Sequence, residues 1–294
     1  MAELLQLFIN GLVTGSIITL GAVGISLALS TLDIGSLTHG DYMAVGAFAA
    51  YFFNARLGMN IVVSFALGAA VTGVLGVVAD RLLLQRFSRR SPDSLLIVTL
   101  GLGMSIRAMI YLTAGAKPRQ FDVNVTQVFD LGLVRISLPY LINLTVAVTA
   151  IVGVALFLSR TSAGKHMRAM SNDRELASIA GIDVDRMRIY IWLFAAILAG
   201  LAGSMLGLVQ AVFSPELGWN VLFLLFTAVI LGGIGNVYGT LVGGLLLGLA
   251  IEIPTWSGFF GGVPSVYKPV LAFGILLVLL FVRPAGLFGK ARLL

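Results

Sequence analysis

Apolar residues occur along this chain in runs long enough to cross a membrane, and short polar connections separate the runs. A membrane-spanning helix needs about 20 predominantly apolar residues. Single crossings are predicted at residues 4–29, 38–53, 61–78, 95–114, 139–159, 189–213 and 267–282. The second crossing is short, and Thr38, three residues before Asp41, is typical of a capped helix start. The pattern predicts an all-α, polytopic bundle of transmembrane helices.

The apolar run at residues 221–253 is longer than one crossing and short for two. Its middle is rich in glycine, and a hairpin of shortened or broken helices fits it best, which makes about eight or nine membrane segments in all. Small residues four apart let helices approach closely, and Gly235, Gly239 and Gly243 would share one such face. Helix packing, or the lining of a pathway, is predicted for Gly232, Gly233, Gly235, Gly239, Gly243, Gly244 and Gly248.

The longest polar interruption is the loop at residues 160–188. Basic residues cluster in this loop, in the connection at residues 80–94 and after the last crossing. Since Lys and Arg concentrate in cytoplasmic loops, we expect these segments in the cytoplasm, the C terminus with them and the N terminus outside. The basic residues concerned are Arg81, Arg86, Arg89, Arg90, Arg160, Lys165, Arg168, Arg174, Arg186, Arg188, Arg283, Lys290 and Arg292.

A short helix is predicted inside this loop. Asn172 is suited to cap its start, with Glu175 at the third helical position, and Gly181 is a natural stop. Leu176 and Ile179 would form a narrow apolar face. Two interpretations remain open: a partner protein covers this face, or the loop is solvated and its apolar residues lie against its own bundle.

Composition narrows the class of protein. Of 294 residues, 59% are hydrophobic and 11% charged, with a mean hydropathy of +1.02, so a soluble domain is excluded and residues 1–294 form a single transmembrane domain. The net charge of +6 reflects the loop clusters, and no nucleic-acid partner follows. The chain has no cysteine, which excludes disulfides and thiol chemistry.

Charged residues inside predicted crossings are candidates for function. We predict that Arg107 and Glu252 pair with each other or flank the outer mouth of a pathway. His39 and His166 have no metal-ligand partners at suitable spacing, so no metal site is predicted, and His39 beside Asp41 is interpreted as a capping turn. No acid is expected near the centre of a crossing, which disfavours a secondary transporter, and no nucleophile with a base indicates a hydrolase.

Several segments carry a resemblance to a known family. One segment consists of Glu175-Leu176-Ala177, three intervening residues, Gly181, nine further intervening residues and Ile191-Trp192-Leu193-Phe194. It resembles the EAA loop of ABC importer permeases, from which Leu176 and Phe194 depart. The wider loop, the segments THGD and LGGIGNVYGTLVGGLLLGLAIE, and the ending LLFVRPAGLFG are similar to the branched-chain amino acid ABC transporter permease family of the LivH type.

This resemblance implies a permease that catalyses no covalent chemistry. Its partners would be two ATP-binding cassette subunits, which hold the ATP and magnesium, a second homologous permease or a second copy of this chain, and a periplasmic binding protein. The location would be the bacterial cytoplasmic membrane. Substrates would be branched-chain or other neutral amino acids, with urea, amides and aromatic acids as alternatives. The implied coupling residues are Gly164, Arg168, Ala169, Asp173, Arg174, Glu175, Leu176, Ala177, Ile179, Gly181 and Ile182.

Overall fold

A computed structural model of the chain describes residues 2–32, 34–87, 92–123, 127–130, 132, 135–258, 262–283 and 285–289. Arg89, Arg90, Lys290 and Arg292, four of the basic residues used to predict orientation, lie outside these described residues. The fold is a bundle of α-helices. Its strands, within the described residues, are β1 (Val128–Asp130) and β2 (Arg135–Ser137), which pair antiparallel.

A helix is present at each position where a crossing was predicted. The helices are α1 (Ala2–Leu32), α2 (His39–Tyr51), α3 (Ile61–Ala79), α4 (Gln85–Phe87), α5 (Pro92–Ala114), α6 (Leu138–Arg160), α7 (Ser162–Asn172), α8 (Arg174–Ile179), α9 (Val184–Val209), α10 (Leu217–Gly232), α11 (Val237–Glu252) and α12 (Lys268–Val282). A π turn, Phe52–Arg56, extends α2, and another, Asp80–Leu84, joins α3 to α4.

Seven helical stretches among the described residues are long and apolar enough to cross a membrane. They are Glu3–Leu32, Ile61–Phe87, Ser94–Ala114, Leu138–Arg160, Val184–Val209, Val237–Thr255 and Ser265–Val282. The apolar α10 is shorter, at 16 residues. The predicted polytopic all-α membrane bundle is confirmed, while the exact number of crossings and the sides of the termini stay predictions.

Helix α2 begins inside the bundle and not at its surface. A Cβ added at Gly103, the twelfth of the 23 residues of α5, would overlap the Asp41 carboxylate, so the first turn of α2 lies at the middle of α5. The 13 residues of α2 extend for about 20 Å, less than the roughly 30 Å thickness of a membrane's hydrocarbon core. Irregular backbone at such depth must be covered by protein, and Thr38, His39 and Asp41 are all buried.

The predicted cap at the start of α2 is wrong. Thr38 is the N-cap residue, but its side chain accepts no capping hydrogen bond. Its hydroxyl donates instead to the carbonyl oxygen of Thr99 on α5, at 2.6 Å. Burial beside α5 therefore redirects the polar side chains of this turn from local capping to contacts between helices.

Glycines bring the central helices into backbone contact. A Cβ at Gly46 of α2 would overlap the backbone of Gly200 of α9, and a Cβ at Gly248 of α11 would overlap that of Gly15 of α1. The first turns of α2 and α10 cross in the same way at Gly40 and Gly218. Small residues permit these approaches because no side chain separates the two backbones.

The glycine-rich run folds as a hairpin of two 16-residue helices, α10 and α11. Gly239 and Gly243 pack against the end of α10 near Gly232, whereas Gly244 and Gly248 pack against α1. Gly235 does not share their face, contrary to the prediction, because it lies in the turn before α11. Gly233 and Gly235 have φ of +106° and +88°, which favour glycine, so the break in the hairpin is this turn.

The two ends of the bundle can be told apart by their contacts. The loop end carries residues 160–188, and the hairpin turn joins it there, since the Ser171 hydroxyl donates to the Gly235 carbonyl at 3.3 Å. The strand end carries β1 and β2 and the start of α1, where the Arg135 amide donates to Gln6 Oε1 at 3.1 Å. Arg81 and Arg86, at the end of the α3 stretch, lie towards the loop end with the basic residues of the loop.

Candidate functional site

The loop at residues 160–188 folds into two helices before the chain re-enters the bundle. Helix α7 was not predicted from the sequence. The Thr161 hydroxyl caps it by accepting a hydrogen bond from the Gly164 amide at 3.0 Å. Its own residues Met167 and Met170 are buried. Thr161 followed by two methionines three residues apart was the signal that could have revealed this helix.

Helix α8 is the short helix that the sequence predicts, although its cap differs. Asp173, and not Asn172, is the N-cap residue, and its carboxylate accepts a hydrogen bond from the Leu176 amide at 2.9 Å. Glu175 is consequently the second helical residue, where its charge still favours the positive end of the helix dipole. The predicted capping box is therefore replaced by a single Asp cap, because α7 runs on through Asn172.

The end of α8 is a Schellman motif. Gly181 has φ of +86°, its amide donates to the Ser178 carbonyl at 3.0 Å, and the Ile182 amide donates to the Ala177 carbonyl at 3.1 Å. Both bonds satisfy carbonyls that would otherwise lack partners at a helix end. The helix therefore stops where the glycine predicts.

The apolar face of α8 is open. Leu176 is 63% exposed and Ile179 is 81% exposed, whereas Ala177 is buried against the chain. The interpretation in which these apolar side chains lie against their own bundle is therefore wrong for Leu176 and Ile179. Of the other predicted loop residues, Gly164 is buried, Ala169 and Ile182 are half-buried, and Arg168, Asp173, Arg174, Glu175 and Gly181 are exposed.

A buried ion pair ties the end of this loop to the bundle. Helix α9 begins three residues after Gly181, and its Arg188 binds Asp80, at the end of α3, with Nη2 to Oδ1 at 2.6 Å and Nε to both carboxylate oxygens at 2.9 Å. The two side chains are only 5% and 2% exposed. No local sequence pattern indicates this pair, because both residues stand in polar segments 108 positions apart.

Arg107 pairs with Asp41 and not with Glu252, so the predicted pairing is wrong. Arg107 Nε and Nη2 each lie 2.9 Å from Asp41 Oδ1. The guanidinium carbon also stands 4.9 Å from the ring centroid of Trp219 at the start of α10, within the range of a cation–π contact. Three helices, α2, α5 and α10, therefore meet at this charge pair.

Glu252 has separate partners at the strand end. Its Oε1 accepts hydrogen bonds from Lys268 Nζ at 2.7 Å and from the Thr14 hydroxyl at 3.0 Å. This contact joins the end of α11 to the start of α12 and to Thr14, the thirteenth residue of α1. Whether Arg107 or Glu252 flanks the mouth of a pathway stays a prediction.

The expectation that no acid lies near the centre of a crossing is wrong as well. Asp41 faces the middle of α5 and is 1% exposed. The sequence concealed this depth because Thr38 and Asp41 have the pattern of an ordinary helix start at a membrane surface. The absence of a deep acid therefore no longer argues against a secondary transporter.

Together these features define a multi-pass helical membrane protein that exposes a capped, apolar-faced helix in a basic loop at one end. The chain belongs to the family described as "Branched-chain amino acid transport system / permease component", whose model matches residues 7–280.

Individual relatives agree with this assignment. The chain is 28% identical to the high-affinity branched-chain amino acid transport system permease protein BraD of Pseudomonas aeruginosa, over 97% of this chain and 96% of the relative. It is 26% identical to the corresponding protein LivH of Escherichia coli K12, with the same two coverages of 97% and 96%.

A solved structure shares the fold. It is titled "PsaBC from Streptococcus pneumoniae in complex with Fab", and one of its chains matches with a TM-score of 0.54 at 14% identity, over 97% of this chain and 93% of that chain. At this identity the similarity concerns the fold alone.

Proposed function

We propose that this chain is the permease subunit of an ATP-driven importer of branched-chain or other neutral amino acids, in the bacterial cytoplasmic membrane. Membership of the permease family and the names of the relatives BraD and LivH support this function. The structural observation that carries it is the uncovered apolar face of α8, which gives a partner subunit a place to bind.

The partner at α8 is a cytoplasmic ATP-binding cassette subunit, and the whole importer has two of them, which hold the ATP and magnesium. An amphipathic helix that lies in a groove uses apolar anchors at a spacing of three or four residues, here Leu176 and Ile179. The exposed charges of Arg168, Asp173 and Arg174 supply the polar rim of such an interface. The loop end is then cytoplasmic, and the N terminus lies outside.

Force applied to α8 reaches the bundle by a short route. The chain passes from the α8 stop at Gly181 directly into α9, and the buried Arg188–Asp80 pair links the first turns of α9 to the end of α3. Because that pair is desolvated and bonded through three donor–acceptor contacts, it resists separation and α9 and α3 move together.

A second permease completes the pathway, either a related chain or a second copy of this one, and a periplasmic binding protein delivers the substrate.

The chain is to be coexpressed with its neighbouring genes, purified and reconstituted in liposomes, and uptake of leucine measured with ATP inside. We expect copurification with ATPase subunits and uptake that requires both ATP and the binding protein. A chain that transports alone would contradict the proposal.

Substrate choice is tested in the same liposomes. Leucine, urea, acetamide and benzoate represent the neutral amino acids and the alternatives within the importer group, namely urea, amides and aromatic acids. We expect leucine uptake to exceed the other three. ATP-driven uptake of urea, acetamide or benzoate in place of leucine would support the importer function but contradict the amino acid substrate.

The deep acid favours one alternative function. Asp41 at the middle of a crossing is the kind of residue that couples transport to protons or ions in secondary transporters. The same liposomes, given a pH or sodium gradient but no ATP, discriminate the two. We expect no uptake under those conditions, and uptake there would establish the alternative.

A further inference from the structure

The seam between α2 and α5 contains a cavity of about 580 Å³, lined by the last turns of both helices and the residues that follow them. This volume lies within the roughly 300–1,000 Å³ of small-molecule sites. The lining residues are Val45, Phe48, Ala49, Tyr51, Phe52, Arg56, Ile110, Thr113, Ala114 and Arg119.

The cavity lies between the Asp41–Arg107 charge pair and the strand end, in the same seam between α2 and α5. Residues three or four apart on a helix lie on the same face one turn apart, and Val45 follows Asp41 by four positions while Ile110 follows Arg107 by three. The nearest lining residues therefore lie about one helical turn from the Asp41–Arg107 pair, on the side of the strand end. A solute entering from the strand end reaches this cavity before the charge pair.

Two guanidinium groups line the cavity, and no acid lines it among the described residues. Arg119 lies over the Tyr51 ring at 5.7 Å and donates through Nη2 to the Ala114 carbonyl, yet its Nε is buried without an acceptor. Arg56 is exposed and forms no ion pair with a described residue. Guanidinium groups bind carboxylates through paired hydrogen bonds, so the unsatisfied charge favours an organic acid group.

The remaining walls suit the rest of an amino acid. Phe48, Phe52, Val45 and Ile110 offer apolar surface to an aliphatic side chain. The Thr113 hydroxyl donates its proton to the Met109 carbonyl at 2.8 Å, which leaves the lone pairs of its oxygen free to accept from an ammonium group. Carboxylate, ammonium and aliphatic side chain thus each have a complementary group.

We propose that this α2–α5 cavity is a binding site on the transport pathway for a zwitterionic amino acid with an aliphatic side chain, whose carboxylate binds Arg119 and Arg56. The proposal rests on the proposed function and adds to it a location and a recognition chemistry. It predicts that the site binds solutes that carry a carboxylate, and that this preference does not depend on ATP hydrolysis.

Introduced thiols test this directly, because the chain has no cysteine of its own. Ala49→Cys, in the cavity wall, and Ala116→Cys, in the exposed connection after α5, form a matched pair. In the reconstituted complex each is treated with an anionic sulfonatoethyl and a cationic trimethylammonium-ethyl methanethiosulfonate. The measured quantity is the ratio of the anionic to the cationic modification rate, and Ala114→Cys, also in the cavity wall, replaces Ala49→Cys if that variant does not insert.

We expect this ratio to be at least about fivefold higher in the cavity than in the connection, the factor that one charge pair near contact gives in water. Arg119→Gln and Arg56→Gln should each lower the ratio. Lys117→Gln removes a charge from the same connection without lining the cavity and should leave it unchanged. Equal ratios at the two thiols, or no reaction in the cavity, would overturn the proposal.

Protection by solutes distinguishes this proposal from the proposed function. Leucine should slow modification of the cavity thiol, and leucinol, which lacks the carboxylate, should not; the Ala116→Cys thiol should be indifferent to both. If leucine protects the thiol but ATP does not drive leucine uptake, the binding site in the cavity is supported and the proposed importer function is contradicted. If leucine is taken up without protecting the thiol, or if leucinol protects it equally, the proposed binding site is contradicted and the importer function is not.

Discussion

Individual charged residues inside the bundle are held by partners on other helices. Asp80 binds Arg188, Asp41 binds Arg107 and Glu252 binds Lys268, at nitrogen–oxygen distances of 2.6, 2.9 and 2.7 Å. A charge buried without a partner is strongly unfavourable, so these residues act as pairs. None of the three pairs could be predicted from sequence spacing, because their members are joined only by the packing of separate helices.

Removal of one member of the Asp80–Arg188 pair should be costly. We expect Asp80→Ala to destabilise the protein by about 3–5 kcal/mol, because it leaves Arg188 charged and buried. Thermal unfolding in detergent measures the change. The double variant Asp80→Leu with Arg188→Met should recover most of the loss. The matched control is Arg186→Ala, whose partner Asp183 is exposed at 3.8 Å, and an equal loss in this control would contradict the prediction.

A double-mutant cycle checks which residue holds Arg107. Asp41→Ala and Arg107→Ala together should be less destabilising than the sum of the single changes, with a coupling of about 1–3 kcal/mol, because the double variant leaves no unpaired charge. The same cycle with Glu252→Ala in place of Asp41→Ala should show no coupling. Coupling in the second cycle would instead restore the pairing of Arg107 with Glu252.

Among whole elements, α8 combines strong local determinants with an unpacked face. Its Asp173 cap and its Gly181 stop are local hydrogen-bonding patterns, so the sequence predicts the helix even though few residues pack against it. Helix α2 shows the opposite case. Its start depends on the burial of Thr38 and Asp41 against α5, and the local capping pattern misled the prediction.

Charge on the apolar face of α8 should uncouple the importer. We expect Leu176→Asp to lower ATP-driven uptake about tenfold or more while membrane insertion remains normal, because a carboxylate in an apolar groove costs more than the 1.4 kcal/mol of a tenfold change. Uptake and ATP hydrolysis in liposomes measure the two activities. Ser178→Asp, exposed on another face of α8, is the control. Normal coupling in Leu176→Asp would remove the docking role.

Contact between α1 and α11 depends on the absence of side chains. We expect Gly248→Leu to reduce the yield of folded protein several-fold, because its Cβ would overlap the Gly15 backbone and force the helices apart. Size-exclusion chromatography in detergent measures the folded fraction. Gly274→Leu on α12, where no atom lies within 4 Å of the added Cβ, should behave as wild type. Similar yields for both variants would contradict close packing.

At the scale of the whole molecule, the structure separates a loop end from a strand end. Residues 160–188 and the hairpin turn lie at the first end, and the start of α1 and the β1–β2 hairpin lie at the second. The basic loop residues predict that the loop end faces the cytoplasm. The α2–α5 cavity lies in the half of the bundle nearer the strand end.

Single thiols in the otherwise cysteine-free chain test this orientation. We expect a membrane-impermeant maleimide added to intact spheroplasts to label Ala116→Cys and Ser257→Cys, at the strand end. Ser178→Cys, on α8, should be labelled only after the membrane is permeabilised. The reverse pattern would invert the topology and place α8 out of reach of a cytoplasmic ATPase.

The sequence by itself determined the class of the protein, the positions of the long apolar helices, the stop at Gly181 and the short helix before it. These follow from the length of apolar runs and from hydrogen bonds between residues at most five positions apart. Residues close together in the sequence determine both features. The tertiary structure alone decided that α2 begins at mid-depth, that Arg107 binds Asp41, that Arg188 binds Asp80, and that two arginines line one cavity. These arrangements depend on which helix faces lie together, and no local pattern specifies that when most faces are equally apolar.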